Sequence, residues 1–126
     1  MHKNKRIIEN GVAITPHEHK VVKLLRELGY LVEPIPPSNT KWNPNPDFII
    51  DGLIWELKSP VTKKKQTIKR IVKEASRQSE NLIVDLRFAK IDENIAFRIL
   101  EHEFNSSRRI KRLVIIRKSG LLKYKK

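Results

Sequence analysis

Three charged residues, Asp47, Glu56 and Lys58, have the types and the spacing of a divalent-metal site with a positive charge beside it. Side chains alternate between the two faces of a strand, so Glu56 and Lys58 lie on the same face. Asp47 precedes them and can approach the same spot from a neighbouring strand. Carboxylates are the hard oxygen ligands that Mg²⁺ prefers, the backbone carbonyl of Leu57 can add a third ligand, and the lysine would stabilise negative charge that develops during hydrolysis.

A β-hairpin must position these residues. Asp51-Gly52 is a strong two-residue turn signal, and it predicts the strands Phe48–Ile50 and Leu53–Lys58 on either side of it. An alternative interpretation of the same pattern is that the charged residues form an ordinary exposed strand face and cap a turn.

The residues of this hairpin match a known pattern. Pro46-Asp47, followed after a strand and a turn by Glu56-Leu57-Lys58, matches the PD-(D/E)xK pattern of metal-dependent nucleases. From about residue 16 to about residue 117, the chain also resembles the transfer-RNA-cleaving toxin domains at the C-termini of contact-dependent growth inhibition (CdiA-type) proteins. The stretches that carry this resemblance are LLRELGY at 24–30, the Pro-rich connection, WELKSP at 55–60 and IVDL at 83–86.

The resemblance implies a restriction-endonuclease-like core in which Asp47 and Glu56 hold the metal and Lys58 is catalytic. Mg²⁺ is the expected metal, with Mn²⁺ or Zn²⁺ as alternatives. A glutamate on the first helix often joins the metal site of such nucleases, which makes Glu18 a further catalytic candidate. Transfer RNA is then favoured over DNA as the partner, the cytoplasm is the site of action, and a toxin would also have an immunity protein. A toxin domain would be delivered into a target cell; because the chain begins with its own methionine and carries no delivery region, a stand-alone relative is the alternative.

The charge of the chain points independently to a polyanionic partner. There are 27 Lys and Arg against 14 Asp and Glu, which gives a formal net charge of +13 and a pI near 10.2. Nucleic acid is the expected partner, and a ribosomal or chromatin protein that binds without catalysis is the alternative. The absence of cysteine excludes disulfides and thiolate zinc sites. No apolar run approaches the roughly 20 residues of a membrane span, so we expect no membrane partner.

The first helix begins with a strong capping signal. Thr15 is the expected N-cap, Pro16 the first helical residue and Glu18 the third residue of a capping box, while Gly29 ends the helix. Glu18 therefore has two interpretations, as a cap or as a metal ligand that faces the hairpin. The histidines on either side of Glu18 lack the i, i+4 spacing of a HExxH zinc site, so we expect them at the surface.

The connection at 34–45 is too rich in proline for a helix or a central strand. A loop of this length in a small domain is usually functional or disordered, and this one leads directly into Asp47. Trp42 in this loop could stack on a nucleobase. Packing of Trp42 over the edge of the core is the alternative.

A helix predicted at 67–79 follows Lys58, and nearly all of its exposed charges have one sign. Phosphate contact explains this uniform charge better than solvation alone. Gln78, near the end of the helix, could orient a water or a phosphate, as a glutamine often does in the toxins that the chain resembles. The other predicted nucleic-acid-binding residues, besides Trp42, are the basic ones before and on this helix: Lys63, Lys64, Lys65, Lys69, Arg70, Lys73 and Arg77.

The whole pattern predicts an α/β fold with a mixed central β-sheet flanked by helices, in one domain of 1–126. The run 81–88 is apolar on both faces, which indicates a central strand. A short strand is predicted at 30–32, a helix capped by Asp92 at 93–104, and a last strand at Arg112–Arg117. Residues 1–14 are predicted as a basic lead-in and 119–126 as a basic tail. The sequence leaves the oligomeric state open.

The sequence therefore predicts a metal-dependent endonuclease with transfer RNA as the favoured substrate. The alternatives are a DNA-cleaving enzyme of the same superfamily and a non-catalytic basic module that binds nucleic acid. Asp47 and Glu56 separate these classes, because a protein that only binds has no reason to place acids where phosphates approach.

Overall fold

A six-stranded mixed sheet is the centre of the fold in a computed structural model that describes residues 7–9, 11–35 and 48–126. The helices are α1 (Pro16–Glu27), α2 (Lys65–Ala75) and α3 (Glu93–Ser106). The strands are β1 (Ile7–Glu9), β2 (Val12–Ile14), β3 (Val32–Pro34), β4 (Phe48–Ile50), β5 (Leu53–Lys58), β6 (Asn81–Asp85), β7 (Arg112–Arg117) and β8 (Gly120–Lys125). No helix in these ranges is long and apolar enough to cross a membrane.

The strands of the large sheet lie in the order β3-β4-β5-β6-β7-β8. β5, β6 and β7 are parallel neighbours, and the outer pairings are antiparallel. The parallel pairs require crossover connections, which α2 and α3 provide. The predicted mixed sheet flanked by helices is confirmed. Parallel strands end at the same edge of the sheet, so the residues after β5, β6 and β7 share one edge.

Both faces of the sheet are covered, by different helices. α2 and α3 pack on one face, in a core that includes Leu82 and Val84 of β6. α1 packs on the other face, over Trp55 and Leu57 of β5 and Ile83 of β6. Burial from both sides explains why the middle of β6, 82–84, is apolar on both faces, and its predicted central position is confirmed.

The hairpin between β4 and β5 has the predicted bounds and turn. Asp51 and Gly52 both have positive φ, 48° and 85°, as a type I′ turn requires. Asp51 also ties the turn to the segment before β3. Its carboxylate accepts from the Leu31 N–H at 2.9 Å, and its own N–H donates to the Leu31 carbonyl at 3.0 Å.

The capping box of α1 is confirmed. The Thr15 hydroxyl accepts from the Glu18 N–H at 3.1 Å, and the Glu18 carboxylate accepts from the Thr15 N–H at 2.7 Å. Gly29 lies just beyond the helix with φ 94°. The Tyr30 N–H still donates to the Leu25 carbonyl at 3.0 Å to close the helix end. For that reason the strand predicted at 30–32 begins only at Val32.

Both terminal stretches differ from their prediction as lead-in and tail. β1 and β2 form an antiparallel hairpin, with Ile7 opposite Ile14. At the other end, residues 118–119 reverse the chain, and β8 pairs with β7 along its whole length. β8 satisfies the backbone groups of the outer edge of β7, and its exposed lysines are typical of an edge strand.

α2 occupies different residues from the predicted 67–79. It starts at Lys65 and ends at Ala75, after which the chain turns towards the sheet. Ser79 and Asn81 both donate to the Ile54 carbonyl, at 2.7 Å and 2.9 Å, and so direct the chain into β6.

Candidate active site

Glu56 and Lys58 form an ion pair on the face of β5 that α2 and α3 cover. The Lys58 Nζ lies 3.6 Å from Glu56 Oε2. Their register partners on β6 are Leu82 and Val84, which belong to the core under α2. The prediction that the two side chains share a face is confirmed. Glu56 is only 5% exposed, so the alternative of an ordinary exposed face is wrong for this residue.

The burial of Glu56 needs a chemical reason. A carboxylate taken out of water loses its hydration, and an ammonium nearby offsets only part of that cost. Apolar residues of similar size at both positions would be as stable or more stable. The half-buried Lys58 forms an ion pair with Glu56 and reaches solvent itself. A buried carboxylate with a lysine that reaches solvent suits the binding of a cation or the stabilisation of an anion.

The sheet edge beside this pair carries further polar groups that the sequence analysis missed. Asp85, at the end of β6, is fully buried. Arg87 binds its carboxylate as a fork, with Nε and Nη2 each at 2.9 Å, and the Arg87 N–H adds a third bond at 3.0 Å. The hydrogen bond to Asp85 raises the pKa of Arg87 above its ordinary value, against the effect of burial. An acid that ends a central strand of an α/β sheet is a signal that could have found this pair.

An aromatic platform lies next to Arg87. The His17 ring stacks on Phe88 with a centroid distance of 4.6 Å and an angle of 13°. The Lys20 ammonium is 4.7 Å from the Phe88 centroid, and the Arg87 guanidinium is 5.6 Å from it. His17 is therefore half-buried against Phe88 rather than at the open surface as predicted. The N-terminal half of α1 and the segment after β6 thus bring a ring pair and two cations to the edge where β6 ends.

The predicted basic surface is present before α2, on it and just after it. Its seven members are all exposed: Lys63, Lys64, Lys65, Lys69, Arg70, Lys73 and Arg77. Ile68, Ile71, Val72 and Ala75 form the buried side of the helix. Three of the lysines precede or begin α2, and the N-cap makes no side-chain hydrogen bond. The positive end of the helix dipole repels cations at this position, and a bound anion would reduce that repulsion.

The remaining predicted residues have different outcomes. Glu18 caps α1, and its role as a metal ligand stays a prediction. Gln78 is half-buried in the turn after α2, where its N–H donates to the Ala75 carbonyl at 2.8 Å. Asp47 and Trp42 lie outside the described residues.

The chemistry of Glu56 fits a hard divalent cation, because it is a buried carboxylate. Among the residues that the structure describes, no three histidine, cysteine or acidic side chains come together as a metal cluster. Asp47, the second predicted acidic ligand, lies outside the described residues. The described part of the site thus supplies one carboxylate ligand, and the complete ligand set stays a prediction.

Comparisons with known proteins identify a matching family model and a similar fold. Residues 44–122 match the sequence model of the contact-dependent growth inhibition CdiA C-terminal domain. The fold is similar to a chain in the CdiA-CT/CdiI toxin and immunity complex from Burkholderia pseudomallei, with a TM-score of 0.62 and 22% identity over 87% of this chain and 83% of that chain. At this identity the likeness concerns the fold alone. No curated protein matches the chain. The residues matched to the family include the Glu56–Lys58 pair, all of α2 and the Asp85–Arg87 fork.

Proposed function

The chain belongs to the family of contact-dependent growth inhibition CdiA C-terminal domains, which are toxic effectors delivered into target cells, and on this basis we propose that it is a metal-dependent nuclease that cleaves transfer RNA in the cytoplasm. The observation that carries the proposal is the buried Glu56 carboxylate 3.6 Å from the Lys58 ammonium. The exposed cations of α2 follow this pair in the chain. α2 also packs on the face of the sheet that carries Glu56 and Lys58. The proposal includes the PD-(D/E)xK assignment of Asp47, Glu56 and Lys58.

Each residue of the pair has a distinct role in this mechanism. Glu56 would hold a divalent metal, Mg²⁺ first, with Asp47 as the second acidic ligand. When bound, such a metal supplies an activated water and neutralises the scissile phosphate. Lys58, fixed by Glu56 on one side and open to solvent on the other, would stabilise the negative charge that develops on the phosphate as the bond breaks. Burial of Glu56 strengthens these electrostatic interactions, because less water screens them.

Substrate binding would use the basic residues of α2. Lysine and arginine contacts to phosphates position a nucleic acid without reading its sequence. Three lysines at the positive end of α2 would hold one phosphate group more strongly than scattered surface cations, since the helix N–H groups add to their charge. Cleavage would then occur beside the phosphates that α2 holds.

RNA is favoured over DNA by the platform of His17 and Phe88. Proteins that recognise folded RNA stack its splayed, unpaired bases on aromatic rings and pair its phosphates with cations. Lys20 and Arg87 place two cations against Phe88. A DNA-cleaving enzyme has less use for such a platform, because duplex bases are already stacked.

An immunity protein is the proposed protein partner. The structurally similar chain comes from a toxin and immunity complex. With a net charge of +13 on this chain, a partner that covers its cationic surface would present mainly acidic residues, which would speed association and select the correct pair.

Cleavage assays test the catalytic proposal. The chain is incubated with total transfer RNA and, separately, with plasmid DNA, in Mg²⁺, Mn²⁺ or EDTA. We expect cleavage of transfer RNA that EDTA abolishes. Asp47→Ala, Glu56→Gln and Lys58→Ala should each lower the rate by at least about 100-fold, as loss of one strong electrostatic contact to a reacting group does. Glu33→Gln and Lys23→Ala change exposed residues and serve as controls of the same charge change.

The outcomes separate the alternatives. Cutting of DNA but not RNA would keep the site and overturn the substrate. Cutting by Glu56→Gln at the wild-type rate would remove Glu56 from the mechanism. If no metal supports cleavage and Glu56→Gln binds RNA as well as wild type or better, the chain is a binding module. For the nuclease, Glu56→Gln should keep RNA binding and lose cleavage.

A further inference from the structure

A concave site unrelated to Glu56 lies on the opposite face of the sheet. On that face α1 covers the middle strands, and a cavity of about 260 Å³ remains between the end of α1 and strands β7 and β8. Trp55, Ile83 and Val114 of three strands line its floor, and Tyr30 and Leu121 are among the residues of its wall. The lining is thus mainly apolar and includes two kinds of aromatic ring.

Trp55 supplies an indole ring to the lining of this cavity. The residue is 8% exposed. Its indole N–H is buried, and no acceptor for it exists among the described residues. Since the N–H is itself inaccessible, the apolar part of the indole ring is what a ligand in the cavity can contact.

Cations surround the same cavity. Arg112, Lys123 and Lys125 line it, and none of the described residues in its lining is acidic. Two of these cations are held in place by neighbours. Arg112 Nη1 donates to Asn81 Oδ1 at 3.2 Å, and the Lys123 ammonium lies 5.2 Å from the centroid of the Tyr30 ring, whose hydroxyl it also contacts. Fixed positive charge beside apolar space fits a ligand with an apolar body and an anionic group.

We propose that this cavity is a nucleotide-binding site, with the base against Trp55 and the phosphate at Arg112, Lys123 and Lys125. A nucleobase has the planar apolar faces that aromatic side chains stack on. Its phosphate matches the cations of the rim. A neutral aliphatic ligand would leave those cations without an anion. The nucleotide can be free or part of an RNA strand, since both present the same base and phosphate.

Intrinsic fluorescence measures this binding without any cleavage. The chain has two tryptophans, so Trp42→Phe leaves Trp55 as the reporter. This protein is titrated with AMP, with a short single-stranded RNA and with inorganic phosphate alone. We expect a saturable change of Trp55 emission with AMP, with the RNA or with both, and none with inorganic phosphate. A response to AMP indicates a site for free nucleotides, and a response to the RNA alone indicates a site for a nucleotide within a strand.

Charge variants locate the response. Lys123→Glu with Lys125→Glu should raise Kd by at least about tenfold, which corresponds to about 1.4 kcal/mol. The control, Lys90→Glu with Lys118→Glu, makes the same change in net charge at two exposed lysines that do not line the cavity, and it should leave AMP affinity unchanged at physiological salt. If the double variant folds poorly, Lys125→Glu alone serves instead, because it keeps the Lys123–Tyr30 contact. This single variant should also raise Kd.

Two results would overturn the nucleotide site. One is the absence of a saturable response to AMP or RNA. The other is a response that neither Lys125→Glu nor the double variant Lys123→Glu with Lys125→Glu alters. Glu56→Gln should bind AMP as wild type does, because Glu56 lies on the other face of the sheet. The result is therefore independent of whether the chain cleaves RNA.

Discussion

Asp85→Asn is the substitution with the clearest energetic consequence outside the candidate active site. The Asp85 side chain is fully buried, and its partner Arg87 is 24% exposed. Asparagine keeps the shape and can still accept from the Arg87 N–H. Its amide N–H₂ would face the guanidinium, however, so one arm of the fork loses its acceptor and the charge of Arg87 loses its counter-ion.

Removal of one member of a buried ion pair typically costs about 3–5 kcal/mol. Because part of Arg87 reaches solvent, it can recover some hydration, and we expect the lower end, about 3 kcal/mol. Small domains have total unfolding free energies of about 5–15 kcal/mol. With a urea dependence of about 1–3 kcal/mol per molar, the unfolding midpoint should fall by about 1–3 M.

Urea unfolding followed by circular dichroism measures this loss. Asp92→Asn is the matched control, because Asp92 is an exposed N-cap at which asparagine serves as well as aspartate. Asp85→Leu combined with Arg87→Met replaces the whole pair by apolar side chains and should lose less than the sum of the single variants, by at least about 1 kcal/mol. A loss below about 1 kcal/mol in Asp85→Asn, or strict additivity in the double variant, would refute the role of the fork in stability.

Three further predictions follow from local geometry. Thr15→Ala should cost about 1 kcal/mol of unfolding free energy. Glu18→Gln keeps the capping box and should leave stability unchanged. Loss of cleavage in Glu18→Gln at unchanged stability would assign Glu18 to the site. Gly52→Ala should cost about 1–2 kcal/mol in urea unfolding, from positive φ alone, because an added Cβ meets nothing within 4 Å. Burial, then the hydrogen bond with Glu101, raises the pKa of Tyr124 above 10.0. The folded state therefore holds the Tyr124 proton more tightly than the unfolded state does. The stability gained in this way is complete below about pH 10 and is lost as pH rises through the folded pKa. In pH-dependent unfolding, the decline in stability between about pH 9 and 11 should therefore be smaller in Tyr124→Phe.

The elements that were predicted correctly are those whose signals are local. Asp51-Gly52 supplies two residues that tolerate positive φ, which fixes both the turn and the bounds of β4 and β5. Thr15 and Glu18 satisfy each other's backbone N–H groups, which fixes the start of α1. In each case neighbours in sequence determine the structure, and no distant partner is needed.

The strands at the two ends could not be predicted in this way. Ser119-Gly120 marks a turn after β7, and Leu121, Leu122 and Tyr124 follow it. β8 begins with a glycine, however, and carries two exposed lysines, so its own sequence is a weak strand signal. Its strand structure depends on the free edge of β7, a tertiary feature. The Asp85–Arg87 fork was missed for a different reason: an acid at the end of a central strand was a local signal for it, whereas the burial of Asp85 is seen only in the folded structure.

The candidate site combines a local feature with a tertiary one. Alternation along β5 predicts that Glu56 and Lys58 share a face, but not which face is covered. Because β6 pairs on one side of β5 and β4 on the other, and α2 packs above them, Glu56 is buried as deeply as the apolar residues beside it. Leucine or methionine at this position would fill the same space without the cost of desolvating a charge. A stable fold therefore gains nothing from a carboxylate here. The residue is better explained by chemistry than by packing, which is why Glu56→Gln, rather than any surface lysine, is the variant that distinguishes an enzyme from a protein that only binds.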